Sequence, residues 1–504
     1  MKFISKVAAI ATIVGFAAPA VALADNEPTY MRSSLYTILV KSEEQNQRLQ
    51  KQIDETKTNE FMAVAKGFAN TDAKKAANDS MADIPVVEIP LLKFPNIPIP
   101  SQFNDHNLAL RVIDYDAIKA TVTDDEKKMY AEKKSNGKKF GAFAKGLAAA
   151  TMSSQAGTSN SAMLSTDDME DYLPAVIAKS FQGNHTAADL IGKWFGYENG
   201  AWDKDVKLIQ ERGLQNASAE DLAKAKESGF FASNLAGKGF DLINNTYVLA
   251  VNLRFRSNQA VVAESQAMAE GVFGGIGKLA GAVASAAAGE GFQVQAVTYL
   301  YKLDWNDEIS TEFAEKYFDQ NKSIEDLVAS GLCKLSFVGK DKAGCNVRQS
   351  LFNTTPQSTL IERATARAID NAICKLQSKH EVFRTIAPIS RCDEDGTIYA
   401  GIGLKEDLKK GDKYEILEAN EDPETGRVTY KAVATVEPDE TRIWDNRYGA
   451  AEELAEKKEE KNKGAEVKDE EGVSEDAANL MASAFKGKKG KDYTGYFLRL
   501  KKKK

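Results

Sequence analysis

Apolar residues recur along this chain with two periods, and the period decides which element each stretch predicts. Residues 245–255 and 294–303 are rich in β-branched and aromatic side chains with few polar breaks, which reads as two core strands of one sheet. A shorter strand is predicted at 107–115. Helical spacing governs other stretches. Residues 189–229 are amphipathic around Trp194, Phe195 and Trp202, with a capping box opening at Ser218 and a stop at Gly229. Ser323 and Asp326 form another capping box, with Gly331 as the stop. Thr359 and Glu362 open a long helix in which Ile361, Ala364, Ala368, Ala372 and Leu376 share one apolar face. Residues 30–58 are polar with scattered apolar positions at Leu35, Ile38 and Leu39, which predicts a helix that packs lightly or meets a partner.

After Cys392 the style changes to short runs between turns. Turns at Asp395-Gly396, at Lys410-Gly411-Asp412 and at Glu424 to Gly426 separate strands near 397–403, 413–419 and 427–436. That is a meander long enough for a small barrel. The acidic turn from Asp393 to Gly396 is a hairpin rather than a calcium loop, because the position six residues past the glycine is Ile402 instead of Glu. Residues 451–492 are dominated by Glu, Lys and Gly and read as a solvated helix or linker ahead of a strand at 493–500. Two further segments are irregular. Residues 85–100 hold five of the 12 prolines and form an extended strap, and 124–170 are of low complexity.

The predicted organisation is an α+β chain: a leader over 1–24, an N-terminal helical segment over 25–84, and a body over 85–390 with a mixed sheet, packed helices and insertions near 124–170 and 257–291. A small all-β barrel over 391–450 and a charged linker with a terminal strand over 451–504 complete it.

Composition mainly excludes. With 504 residues, 43% hydrophobic and 28% charged, the chain is ordinary globular material for two to four domains. A net charge of −7 and a pI near 5.5 give no reason to expect nucleic acid as a partner. The leader reading rests on Lys2 and Lys6, an apolar run over 7–21, and small residues Ala22 and Ala24 ahead of Asp25. The run is shorter than the ~20 residues a membrane span needs. Cleavage before Asp25 would take the formal charge from −7 to −9 by removing the two lysines. It implies export through the Sec pathway to the periplasm or the outer membrane.

Cys333, Cys345, Cys374 and Cys392 fall within one stretch of 60 residues, and a clustered even count in an exported chain favours disulfides. Of the three pairings, Cys333 with Cys345 and Cys374 with Cys392 close the shortest loops. No C-x-x-C occurs and His380 is the one histidine nearby, so the spacing is poor for zinc.

Residues 268–291 form a small-residue run broken by Lys278. Gly271, Gly274, Gly275, Gly277 and Gly281 would let backbones approach closely in a membrane contact or an oligomer, while Ala and Gly supply little transfer energy if the run is simply an insertion. The sequence from Gly275 to Lys278 is not followed by Ser or Thr, which argues against a phosphate loop. His106, His185 and His380 are the three histidines; none sits in H-E-x-x-H, and no serine sits in G-x-S-x-G. No catalytic residue, cofactor or metal is therefore assigned. Trp194, Trp202, Trp305 and Trp444 could stack on sugars, though the first two fit a core better.

The residues from Glu211 to Leu214, followed by a helix, a glycine and the strand at 245–255, resemble the repeating α/β unit of periplasmic proteins related to the curli-secretion lipoprotein and flagellar assembly protein T. The stretch from Gly401 to Ile416, with its Gly-Leu-Lys and Gly-Asp turn before a strand, is similar to the small β-barrel of the flagellar protein. The chain is also similar overall to uncharacterised exported proteins of the Bacteroidota. The resemblance implies an envelope assembly or accessory role, with other envelope proteins or glycans as partners. The expected function is a non-catalytic structural, assembly or binding role in the cell envelope. The alternatives are an outer-membrane-associated homo-oligomer or pore using 268–291, and an enzyme acting on envelope glycans.

Overall fold

A computed structural model describes residues 33–43, 47, 103–104, 108, 110–130, 169–216, 239–240, 242–257, 291–348, 357–421, 428–455 and 480–501. The fold is α+β, a mixed sheet with helices on both faces followed by a closed barrel.

Strands β4 (Thr246–Ser257) and β5 (Gly291–Leu303) are the two core strands predicted from the sequence, and they pair antiparallel from Tyr247 opposite Lys302 to Ser257 opposite Phe292. β6 (Leu335–Arg348) extends the sheet antiparallel to β5. On the other side β1 (Ser33–Lys41) runs parallel to β4, with Ser34 opposite Thr246 and Val40 opposite Asn252. Two short strands, β2 (Phe103–Asn104) and β3 (Val112–Asp114), both pair with β1.

β1 corrects, over residues 33–41, the helix expected over 30–58; most of the rest of that stretch lies outside the described residues. Leu35 and Leu39 face one side of the sheet while Tyr36, Ile38 and Val40 face the other, and all five are buried. A strand covered on both faces loses the polar-apolar alternation that marks a half-exposed one, and its run of β-branched and aromatic residues is the remaining sign.

One face of the sheet packs on helix α8 (Gln357–Lys379), and the other on α3 (Met169–Gly183) with α1 (Tyr115–Lys119) and α4 (Thr186–Trp194). On the face predicted for α8, Ala364, Ala368, Ala372 and Leu376 pack on the sheet, and Ile361 is buried as well. Burial of each large aliphatic side chain there contributes roughly 1.5–3 kcal/mol, and the alanines let helix and sheet approach closely. Leu173, Val176, Ile177 and Phe181 do the same work for α3.

Off the ends of β5 and β6, α5 (Lys207–Asn216), α6 (Asp307–Phe313), a π-helical turn (Ala314–Phe318) and α7 (Ile324–Ser330) enclose an aromatic cluster with α4. Between α1 and α3 lies the short exposed helix α2 (Asp124–Tyr130), whose Glu126 meets Lys179 of α3 at 3.1 Å. The capping box at Ser323 and Asp326 is present, and Gly331 ends α7 at φ 64°, a conformation glycine adopts without a Cβ penalty.

The barrel closes in the order β10-β11-β8-β7-β12-β9, from β7 (Ile386–Cys392), β8 (Thr397–Ala400), β9 (Tyr414–Glu421), β10 (Val428–Pro438), β11 (Ser483–Lys486) and β12 (Phe497–Leu500). The meander was legible, but the closure reaches outside 391–450. β7 begins before residue 391, and β11 and β12 come from the segment read as linker and terminal strand. β12 sits between β7 and β9. Ile389, Ile398, Ile416, Phe485 and Leu498 fill the interior. The acidic turn is the β7–β8 hairpin, with the Gly396 amide donating to Asp393 O at 2.9 Å and φ 93° at the glycine.

Candidate functional site

Helix α8 has a second face, turned from the sheet toward the barrel. Arg363, Arg367 and Asp370, spaced by four and three residues, are 4%, 7% and 6% exposed, so three charged groups are withdrawn from water along one stripe. Such burial is tolerated where each charge finds a partner, and the barrel supplies them.

The segment following β10 crosses this face. Glu453 Oε1 accepts from Arg367 Nη1 at 2.9 Å and lies 3.4 Å from Arg363 Nη1. Arg367 Nε also donates to Tyr448 O at 2.9 Å, and the Tyr448 hydroxyl donates to Glu362 Oε1 at 2.5 Å. That hydrogen bond, with burial, pushes the Tyr448 phenol up to about 12. Gly449 stands at φ 71° against the Arg363 side chain, where a Cβ would meet Nε, so this turn requires glycine on two counts.

Further along α8 the contact is with a 3-10 turn of the barrel, Leu404–Glu406. Lys405 Nζ lies 3.8 Å from Asp370 Oδ2, and the Cys374 thiol donates to Lys405 O at 2.7 Å. The turn is held from behind. Lys405 N donates to Asn446 Oδ1 at 2.8 Å, Asn446 Nδ2 donates to Glu406 Oε2 at 2.9 Å, and Leu404 N donates to Trp444 O at 3.0 Å. Burial pushes Asp370 up to about 6, with Glu406 adding to the shift and Lys405 and Arg367 opposing it. At Asp445 burial acts in the same direction but is outweighed by the bidentate pair with Arg447, at 2.8 and 2.7 Å, so this carboxyl stays below its usual range.

The residues singled out from the sequence are not gathered here. Cys374 alone of the four cysteines joins the seam, and no disulfide links any of them. Cys345 is buried well inside β6 and Cys333 precedes that strand, so at ~3.3 Å per residue the extended chain holds them about 30 Å apart, against the ~4.4–6.8 Å between Cα atoms that a bridge needs. Cys392 ends β7, where its sulfur accepts from Tyr493 N at 3.3 Å. Burial raises the thiols of Cys333, to about 12, and of Cys374 and Cys392, so these are protonated groups rather than nucleophilic thiolates.

His185 precedes α4 in a left-handed conformation, and His380 follows α8 and packs its ring on Gly339 of β6. They sit on different elements, and His106 lies outside the described residues. Trp194, Trp202 and Trp305 are buried, the first two donating to Thr246 Oγ1 at 3.0 Å and Lys322 O at 2.7 Å, so their rings belong to the core. Trp444 is half-buried beside the seam. Gly271, Gly274, Gly275, Gly277 and Gly281 lie outside the described residues. Among the described residues no group of three or more His, Cys, Asp or Glu side chains is arranged to hold a metal, and no helix is long and apolar enough to cross a membrane.

Sequence reasoning missed Arg363, Arg367, Asp370, Lys405 and Glu453. A signal existed in the charged positions spaced by four and three on the side of α8 away from its alanines, but their partners are 35 to 90 residues distant. No protein-family model matches the chain, and no curated protein is significantly similar to it.

Proposed function

We propose that this protein is an exported cell-envelope component that acts by binding, with its barrel fixed against the α/β/α body so that both present surfaces to envelope partners in one orientation. The observation that carries the reading is the buried polar seam on α8. Directional, desolvated ion pairs specify one docking geometry more strictly than an apolar contact of equal area. The leader-like 1–24 segment and the resemblance to periplasmic assembly proteins support the placement.

The test is envelope fractionation of the native protein with intact mass measurement. A periplasmic or peripheral protein beginning at Asp25 and released by alkaline carbonate is the expected result. Recovery in the cytoplasm with residues 1–24 uncut would overturn export. Retention with integral outer-membrane proteins would favour the oligomeric or pore-like alternative.

A further inference from the structure

On the α3 side of the sheet the apolar packing stops short of the end from which β4 leaves. Val248, Ala250 and Tyr299 give way to a polar patch. Arg254 of β4 stands directly opposite Gln295 of β5, and Gln295 stands opposite Gly344 of β6. Because that position is glycine, β6 contributes no side chain there beyond Cβ-less backbone. Lys342 and Asn346 flank it on the same face, and Gln293 lies opposite Asn346. Arg254 and Gln295 are 7% and 1% exposed.

The hydrogen bonding of this patch is incomplete. Glu170, in the first turn of α3, places Oε1 2.9 Å from Arg254 Nη1 and 3.8 Å from Lys342 Nζ. The 2.9 Å approach is an ion pair without hydrogen-bond geometry, so Glu170 Oε1 and Arg254 Nε, Nη1 and Nη2, with the side-chain oxygens of Gln295, Gln293 and Asn346, are buried without a hydrogen-bond partner. Groups of this kind are costly to leave unmet, and an isolated instance is explained by local strain or water. Here all but the Glu170 oxygen are concentrated on facing positions of three adjacent strands, a width of about 10 Å at the usual strand spacing.

The geometry points to a binding site for a small α-hydroxy carboxylate. Among the described side chains, Arg254 and Lys342 against Glu170 leave one positive charge in excess, which a monoanion neutralises. The unused Nε and Nη2 edge of Arg254 is the planar fork that receives a carboxylate with two parallel hydrogen bonds. The amide oxygen of Gln295, which stands opposite Arg254, accepts the single proton of a hydroxyl on the adjoining carbon. This goes beyond the envelope role proposed above and does not depend on where the protein resides.

The test is a thermal-unfolding titration of the full chain with sodium glycolate, against sodium chloride at matched ionic strength. Glycolate is expected to raise Tm saturably and chloride to leave it unchanged. Arg254→Gln is expected to raise the half-saturating glycolate concentration by roughly 10- to 100-fold, the effect of a lost hydrogen bond to a charged group, and Gln295→Met by roughly 2- to 10-fold, that of a neutral one. Gln295→Met keeps the side-chain length and leaves Arg254, Lys342 and Glu170 in place, so it carries the test if Arg254→Gln does not fold. Equal effects of glycolate and chloride, or a glycolate response unchanged in Gln295→Met, would overturn the site.

Discussion

Asp370 Oδ2 and Lys405 Nζ face each other at 3.8 Å across the seam between the long helix and the barrel, with 7% and 13% of their side chains exposed. Burial dominates the aspartate and lifts its pKa from the ordinary 3.8 to about 6, so the folded protein binds this proton more tightly than the unfolded chain does. The linkage sign follows: the group disfavours the folded state above pH 6, and that penalty is relieved as pH falls from about 6 to 4. Asp370→Asn is expected to be more stable than the parent at pH 7.5, by up to ~3 kcal/mol, with the difference vanishing near pH 4. Urea unfolding of both proteins at the two pH values checks this; a difference independent of pH would show that Asp370 is ionised at no unusual cost.

Glu453 serves two guanidiniums at once, those of Arg363 and Arg367. Removing its charge leaves both cations buried with one anion fewer, and breaking such a pair typically costs about 3–5 kcal/mol. Glu453→Gln is expected to lose about 3 kcal/mol in denaturant unfolding and to open the seam to proteolysis. A loss under about 0.5 kcal/mol would mean the carboxylate is not holding the barrel.

The ring of His380 lies on Gly339, and a Cβ added at that glycine would overlap it. Gly339→Ala is expected to cost about 1–3 kcal/mol through overpacking. The double variant with His380→Ala should recover most of the loss, and a double-mutant cycle measures the coupling. Additive losses would place the cost in the strand backbone instead.

The cysteines give a chemical readout. Alkylation of the denatured protein without reductant is expected to label all four thiols, and Tm should not change with reductant. Labelling of the native protein should be slow at Cys374, whose thiol is buried and well above its usual pKa. Incomplete labelling reversed by reductant would bear out the disulfide expectation instead.

Much of the fold was legible because it is locally encoded. The strand character of β4 and β5, the capping box at Ser323 and the sheet-facing stripe of α8 follow from period and composition over windows of a dozen residues. β1 was misread because a strand buried on both faces shows no alternation, and whether its second face is covered depends on α3, more than 120 residues away.

By itself the sequence determined the types of β4, β5, α7 and α8, the α+β class and the style of the C-terminal meander, since these depend on neighbours two to four positions apart. The tertiary structure decided the rest. It closed the barrel with strands from either side of the predicted limits, kept Cys333 and Cys345 at separate places along an extended chain, and set Arg363, Arg367 and Asp370 against Glu453 and Lys405. The physical reason is that burial and charge pairing are properties of what lies opposite in space, and a charged helix position looks the same in sequence whether water or a barrel covers it.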